Sequence, residues 1–219
     1  ISRVGSNQRL ASNILDGDPT TFWEPDPNTA LENWWVEVDL GRVVWAKKVV
    51  VKFAAEGAGD PFLQFKVLTS NGDPAFQGSE SLNYKVAGRS EGLNKTQRVF
   101  EYDLRPFKRA DPGLSGDLIQ YVQIVATASD GRRSAEVSES TWNSLSEEEQ
   151  GDVLYFRRES TGVERQVEKA EYEAISEELR GIRYYRLEQP RLAEVEVWTV
   201  GENISLGWKA RGGSIDAFG

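Results

Sequence analysis

The sequence predicts an all-β protein: an antiparallel β-sandwich that carries a small α+β insertion before its last strand. Three observations predict it. From residue 34 to 128, apolar and polar residues alternate with period two, and turn residues punctuate the alternation. From about residue 130 to 189 the alternation gives way to a duplicated helix–strand pattern. It returns in Ala193-Glu-Val-Glu-Val-Trp198, which reads as the closing strand.

Taken in order, Trp35-Val-Glu-Val-Asp-Leu40 places Val36, Val38 and Leu40 on one face and Trp35, Glu37 and Asp39 on the other, and Gly41 should stop it. Strands are expected over Ala46–Phe53 and Phe62–Thr69, the latter running into Asn71-Gly72, a strong hairpin-turn signal. Arg98–Leu104 and Tyr121–Thr127 follow, while Gly57–Pro61 and Ala110–Gly116 read as loops.

The insertion repeats itself. At an offset of 30, Val137, Trp142, Leu145, Ser146 and Gly151 coincide with Val167, Tyr172, Ile175, Ser176 and Gly181. Each unit reads as a short helix, a glycine stop and an aromatic strand, Val153–Arg157 or Ile182–Arg186. Asp130 to Glu188 holds 15 acidic and 9 basic residues, so most of the net charge of −9 sits there. The insertion is either a solvated decoration or a partner-binding appendage.

Composition removes several functions. The chain of 219 residues has no Cys, His or Met. Zinc and soft-metal sites lose their usual ligands, and Ser-His-Asp and Cys-His catalysis lose theirs. Any metal should be a hard, oxygen-bound ion. The net negative charge argues against nucleic acid, and no apolar run is long enough for membrane insertion. A chain without Met is expected to begin at a processed or cut end. It is therefore read as part of a larger polypeptide.

Between Ala11 and Trp23, Asp16 and Asp18 flank Gly17, and Thr20 and Thr21 add hydroxyls. A tight Asp-Gly-Asp bend brings carboxylates and carbonyls together, as Ca²⁺ requires with its roughly 6–8 oxygen ligands. The metal-free alternative is an Asx-turn, in which the same carboxylates bond local amides.

Three segments, Ala11–Trp23, Trp35–Gly41 and Ala193–Trp198, resemble in sequence and order the discoidin family, or coagulation factor 5/8 type C domains, among the galactose-binding-like sandwiches. Asp60–Gly72 and Tyr121-Val-Gln-Ile124 are similar to further strands of that family. The resemblance implies a discoidin-like jelly roll over 1–129 and 190–200, interrupted by the insertion at 130–189. Residues 201–219 would form a linker or the start of a following module, since Asn203–Gly207 resembles a discoidin opening. The resemblance also implies a structural Ca²⁺ held by Asn13, Asp16, Asp18, Thr21 and Glu194. It implies a non-catalytic, glycan-binding module of a larger exported protein, extracellular or at the cell surface, with Glu24, Asp26, Asn28, Asn33, Trp34, Asp60 and Phe62 in the regions where a sugar would sit. The chain departs from the family in lacking histidine and in its insertion. The alternative function is a structural or protein–protein module that uses residues 130–189, with other protein domains as partners.

Overall fold

The computed structural model describes residues 3–105 and 115–206. It divides into two compact units, one built from the residues up to Ser129 and from Pro190 onward, the other from Asp130–Gln189.

The first unit is a sandwich of two antiparallel sheets. Arg3–Val4 (β1), Trp35–Ala46 (β2), Lys48–Phe53 (β3), Gln64–Ser70 (β4), Lys85–Arg89 (β5), Val99–Asp103 (β6), Asp117–Ala128 (β7) and Leu192–Trp198 (β12) supply it. One sheet has the order β1-β2-β7-β4-β5 and the other β12-β3-β6. Alternation does what the period demands. Val36, Val38, Phe65, Val67, Val122 and Ile124 point from the first sheet, and Val49, Val51, Phe100, Val195 and Val197 from the second, into one core. Phe53, Phe62, Phe65 and Phe100 pack at centroid distances of 4.9–6.4 Å, edge to face except for the tilted Phe62–Phe65 pair.

Several elements differ from the sequence expectations. Gly41 does not end β2. It takes φ 71° and the strand runs on to Ala46, with the pairing to β7 shifting between Asp39 and Val44. Asn71-Gly72 does turn, with Gly72 at φ 95°, but the next strand waits until Lys85. The intervening loop carries Tyr84, which, with Arg3, covers Glu37 on the outer face of the sheet and leaves it fully buried. Residues 202–206 belong to the sandwich. The chain turns after β12, Ile204 donates to the Val197 carbonyl at 2.8 Å, and buried Ser205 donates to the Val195 carbonyl at 2.9 Å. The remainder of the expected linker, 207–219, lies outside the described residues, as does most of the expected loop 110–116.

The second unit contains Ala135–Val137 (β8), Glu139–Ser144 (α1), Gln150–Arg158 (β9), Glu164–Val167 (β10), Lys169–Ala174 (α2) and Arg180–Arg186 (β11). Its sheet order is β10-β9-β11-β8. The repeat becomes an approximate two-fold: the first strand of each half pairs with the second strand of the other, Val137 with Tyr184 and Val167 with Tyr155. Trp142 packs on Tyr184 and Tyr172 on Tyr155, at 5.7 and 4.9 Å. Neither Gly151 nor Gly181 stops a helix; both lie inside strands. At Gly151 a Cβ would stand 2.2 Å from the Arg132 carbonyl, so close backbone approach is what fixes glycine there. Glu188 ties the ends of the unit, accepting from the Asp130 and Gly131 amides at 2.8 and 3.1 Å.

Candidate functional site

Trp23 and Leu192 exchange main-chain hydrogen bonds at 2.8 and 2.9 Å, which locks the acidic bend to the start of β12. Local chemistry shapes the bend. Gly17 takes φ 79°, the Asp18 amide donates to Asp16 Oδ1 at 2.8 Å, and Thr21 Oγ1 donates to Asp16 Oδ2 at 2.7 Å. Thr21 Oγ1 also lies 3.2 Å from the Asp18 carbonyl and 3.5 Å from the Asn13 carbonyl. The Asn13 side-chain amide donates to the Phe22 carbonyl at 2.9 Å, while its main-chain carbonyl faces Thr21. The Asp18 carboxylate turns away to accept from the Thr20 amide and hydroxyl, and these bonds hold it below the usual carboxylate range.

From the other side comes Glu194, only 5% exposed. Burial first, then the negative charge of Asp16, pushes its carboxyl up to about 7, while the Gly17 amide pulls the other way. Its Oε1 is buried without a hydrogen-bond partner. The structure thus gathers a partnerless carboxylate oxygen, the Asp16 carboxylate, the Thr21 hydroxyl and the Asn13 and Asp18 carbonyls. This all-oxygen set suits a hard cation. Among the described residues no group of three or more acidic side chains forms a metal cluster, so the donor set depends on the hydroxyl and the carbonyls.

Two of the residues expected at the sugar site belong to the core. Trp34 and Phe62 are 6% and 1% exposed, members of the core, and offer no ring face to a ligand. Asp26 accepts from the Asn28 amide at 2.9 Å in an Asx-turn, and Asn28 is exposed. Asn33 presents its carbonyl to Ser6 Oγ at 3.4 Å. Asp60 bonds through its carbonyl to the Arg191 amide at 2.9 Å.

What joins these loops is a residue that sequence reading missed. Arg191 Nε donates to Glu24 Oε2 at 2.8 Å, another guanidinium nitrogen donates to the Ala58 carbonyl, and the guanidinium lies 4.4 Å from the Phe22 ring centroid. A Cβ on Gly59 would stand 2.6 Å from the Arg191 side chain, so glycine lets the loop close over its stem. No local signal marks Arg191, since its partners lie more than 130 positions away in sequence.

With this geometry in view, comparison with known proteins gives one family match, over less than half of the chain. Residues 13–105 match the F5/8 type C family described as NedA-like, galactose-binding domain. No curated protein matches the chain. Among solved structures, a module described as CpGH89CBM32-6 produced by Clostridium perfringens aligns over 90% of each chain at 12% identity, with a TM-score of 0.45. CpGH89CBM32-4 of the same organism, solved in complex with GlcNAc-alpha-1,4-galactose, aligns over 58% of this chain and 71% of that one at 19% identity and a TM-score of 0.37. A variant of chitosan-binding module 1, derived from a chitosanase/glucanase of Paenibacillus sp. IK-5, aligns over 90% of each chain at 13% identity and a TM-score of 0.41.

Proposed function

We propose that the chain is a non-catalytic glycan-binding module of a larger extracellular or surface protein, stabilised by one structural Ca²⁺. The family match over residues 13–105 is the observation that carries the glycan reading. The ligand end would be the loop cluster around Glu24, Arg191, Phe22 and Ala58. There an ion pair whose guanidinium lies over an aromatic ring offers fixed donors and acceptors to sugar hydroxyls. The cation would be held by Asp16, Thr21, Glu194 and the carbonyls of Asn13 and Asp18. A divalent cation supplies charge that offsets the two facing carboxylates. Its role is structural: the bend and β12 are far apart in sequence, and shared ligands pin them together.

A glycan array probed with the full chain at millimolar concentration tests the reading. Binding to galactose- or N-acetylglucosamine-terminated glycans, lost in Arg191→Ala, is the expected outcome; a blank array refutes it. A second reading, a protein-interaction module, draws on one observation in the insertion. Phe156, Arg183 and Tyr185 share the sheet face opposite the aromatic residues that pack on the helices, and the Arg183 guanidinium lies 4.6 Å from the Phe156 ring centroid. Such residues are enriched at interfaces. Deleting residues 130–189 tests it: a fold that is kept while assembly is lost, together with no glycan binding by the full chain, favours this second role.

A further inference from the structure

The first unit holds another concave surface, beyond the loops around Arg191. Where the β2–β7 pairing shifts, residues 40–43 leave the regular ladder. After β12 the chain turns through Thr199–Glu202, with the Thr199 amide donating to the Glu202 carbonyl at 2.9 Å, and returns along the strand. The seven residues of β12 separate this turn from Arg191 by roughly 20 Å at ordinary strand rise. Between the irregular stretch and the turn lies a groove whose lining mixes two chemistries. Val43, Val44, Trp45 and Ile204 are apolar, while Arg42 and Glu202 carry opposite charges. Val43 is 45% exposed and Trp45 is half-buried, so apolar surface is offered to solvent. Asn203 also lines the groove, and its Oδ1 accepts from the Ser205 amide at 3.1 Å and the Ser205 hydroxyl at 2.7 Å. The side chain is thereby fixed in place.

We propose that this groove is a saccharide subsite separate from the loop end, taking a neutral hexose or N-acetylhexosamine. The proposal rests on the glycan-binding reading above. A pyranose has an apolar C–H face and a polar hydroxyl edge, which is the pairing the lining offers: the apolar surface of Val43, Val44, Trp45 and Ile204 for the face, and Arg42, Glu202 and the Asn203 amide for the edge. Arg42 and Glu202 balance in charge, which selects a neutral ligand over an anionic or cationic one. The prefixed Asn203 and the strand-borne Trp45 limit the ordering cost of binding a small ligand.

The test is a nuclear magnetic resonance titration of the full chain with galactose and, separately, N-acetylglucosamine, each to millimolar concentration. The wild type is compared with Arg42→Ser and Glu202→Gln. Both positions are exposed, so the variants should fold, and unchanged melting temperatures check this. The expected result is a shift of the Trp45 indole N–H and of the amides from Thr199 to Asn203. That response should weaken at least fivefold in each variant, while shifts at Phe22, Glu24 and Arg191 stay unchanged. Shifts confined to Phe22, Glu24 and Arg191 overturn the subsite and leave the parent reading standing. No shift anywhere, together with a blank glycan array, overturns both. Groove shifts of full strength in both variants overturn the assignment of Arg42 and Glu202.

Discussion

Replacing Glu194 by Gln should remove a fall in stability with rising pH that the wild type is expected to show only without calcium. In the chelated protein the Glu194 carboxyl stands at about 7 against an ordinary 4.5. Between those two pH values the folded chain holds a proton that the unfolded chain has released, so stability falls as pH rises from about 4.5 to about 7. The size follows from the shift: at about 1.4 kcal/mol per pH unit, roughly 3 kcal/mol is lost across the window. For a chain of this length that corresponds to about 6–12 °C in Tm. Calcium bound at the proposed site would replace the proton as the partner of the Glu194 oxygens, which would favour the ionised form and abolish the fall. Glu194→Gln has no proton to lose. In chelator its Tm should be flat across the window and, above pH 7, higher than that of the wild type, while its response to calcium should largely vanish. Differential scanning fluorimetry at pH 4.5, 6 and 7.5 with chelator or calcium measures all of this, each pH being about a half-step or more from the midpoint. Equal slopes for wild type and Glu194→Gln in chelator would refute the reasoning, because the proton would then reside elsewhere.

Three further outcomes follow from packing and burial. Gly88→Ala would set a Cβ 2.1 Å from the Tyr102 ring, and relieving that overlap should cost about 1–3 kcal/mol in urea unfolding. Phe65→Ala removes a ring that contacts four other aromatic rings in the core, and should lower stability by about 3–5 kcal/mol in the same assay. Arg3→Ala leaves the fully buried Glu37 with Tyr84 as its remaining side-chain donor of those described. Because Arg3 itself is largely exposed, a loss of about 1–2 kcal/mol is expected, and a double-mutant cycle with Glu37→Gln should show coupling between the two.

The sandwich was legible wherever one face of a strand is buried. Val36, Val38 and Leu40, or Val195 and Val197, write the period into the sequence because each misplaced residue would put an apolar side chain in water. The strand β5 was not legible. Lys85-Val-Ala-Gly-Arg89 is an edge strand, and its Gly88 is chosen by the pressure of Tyr102 rather than by strand propensity. The strands β8 and β10 escaped for a related reason. They are three and four residues long and acquire partners only when the two halves of the insertion exchange strands. In the candidate site, the Asp16 bend announced itself locally, but its meeting with Glu194 was legible only through the family resemblance. The aromatic residues misled. Trp34 and Phe62 stand beside loops in the sequence, yet their rings turn inward, because burying that much apolar area outweighs any advantage of display. Arg191 and Glu24, partners across 167 positions, left no trace that spacing or pattern reveals.

The most direct measurement is a calorimetric titration of the chelator-stripped full chain with CaCl2, alongside Asp16→Ala. The account predicts one ion bound per chain, with binding lost in the variant and a raised melting temperature in the calcium-loaded wild type. Absence of heat, together with superimposable melting curves with and without calcium, would contradict the claim that a shared cation joins the amino-terminal bend to the last strand.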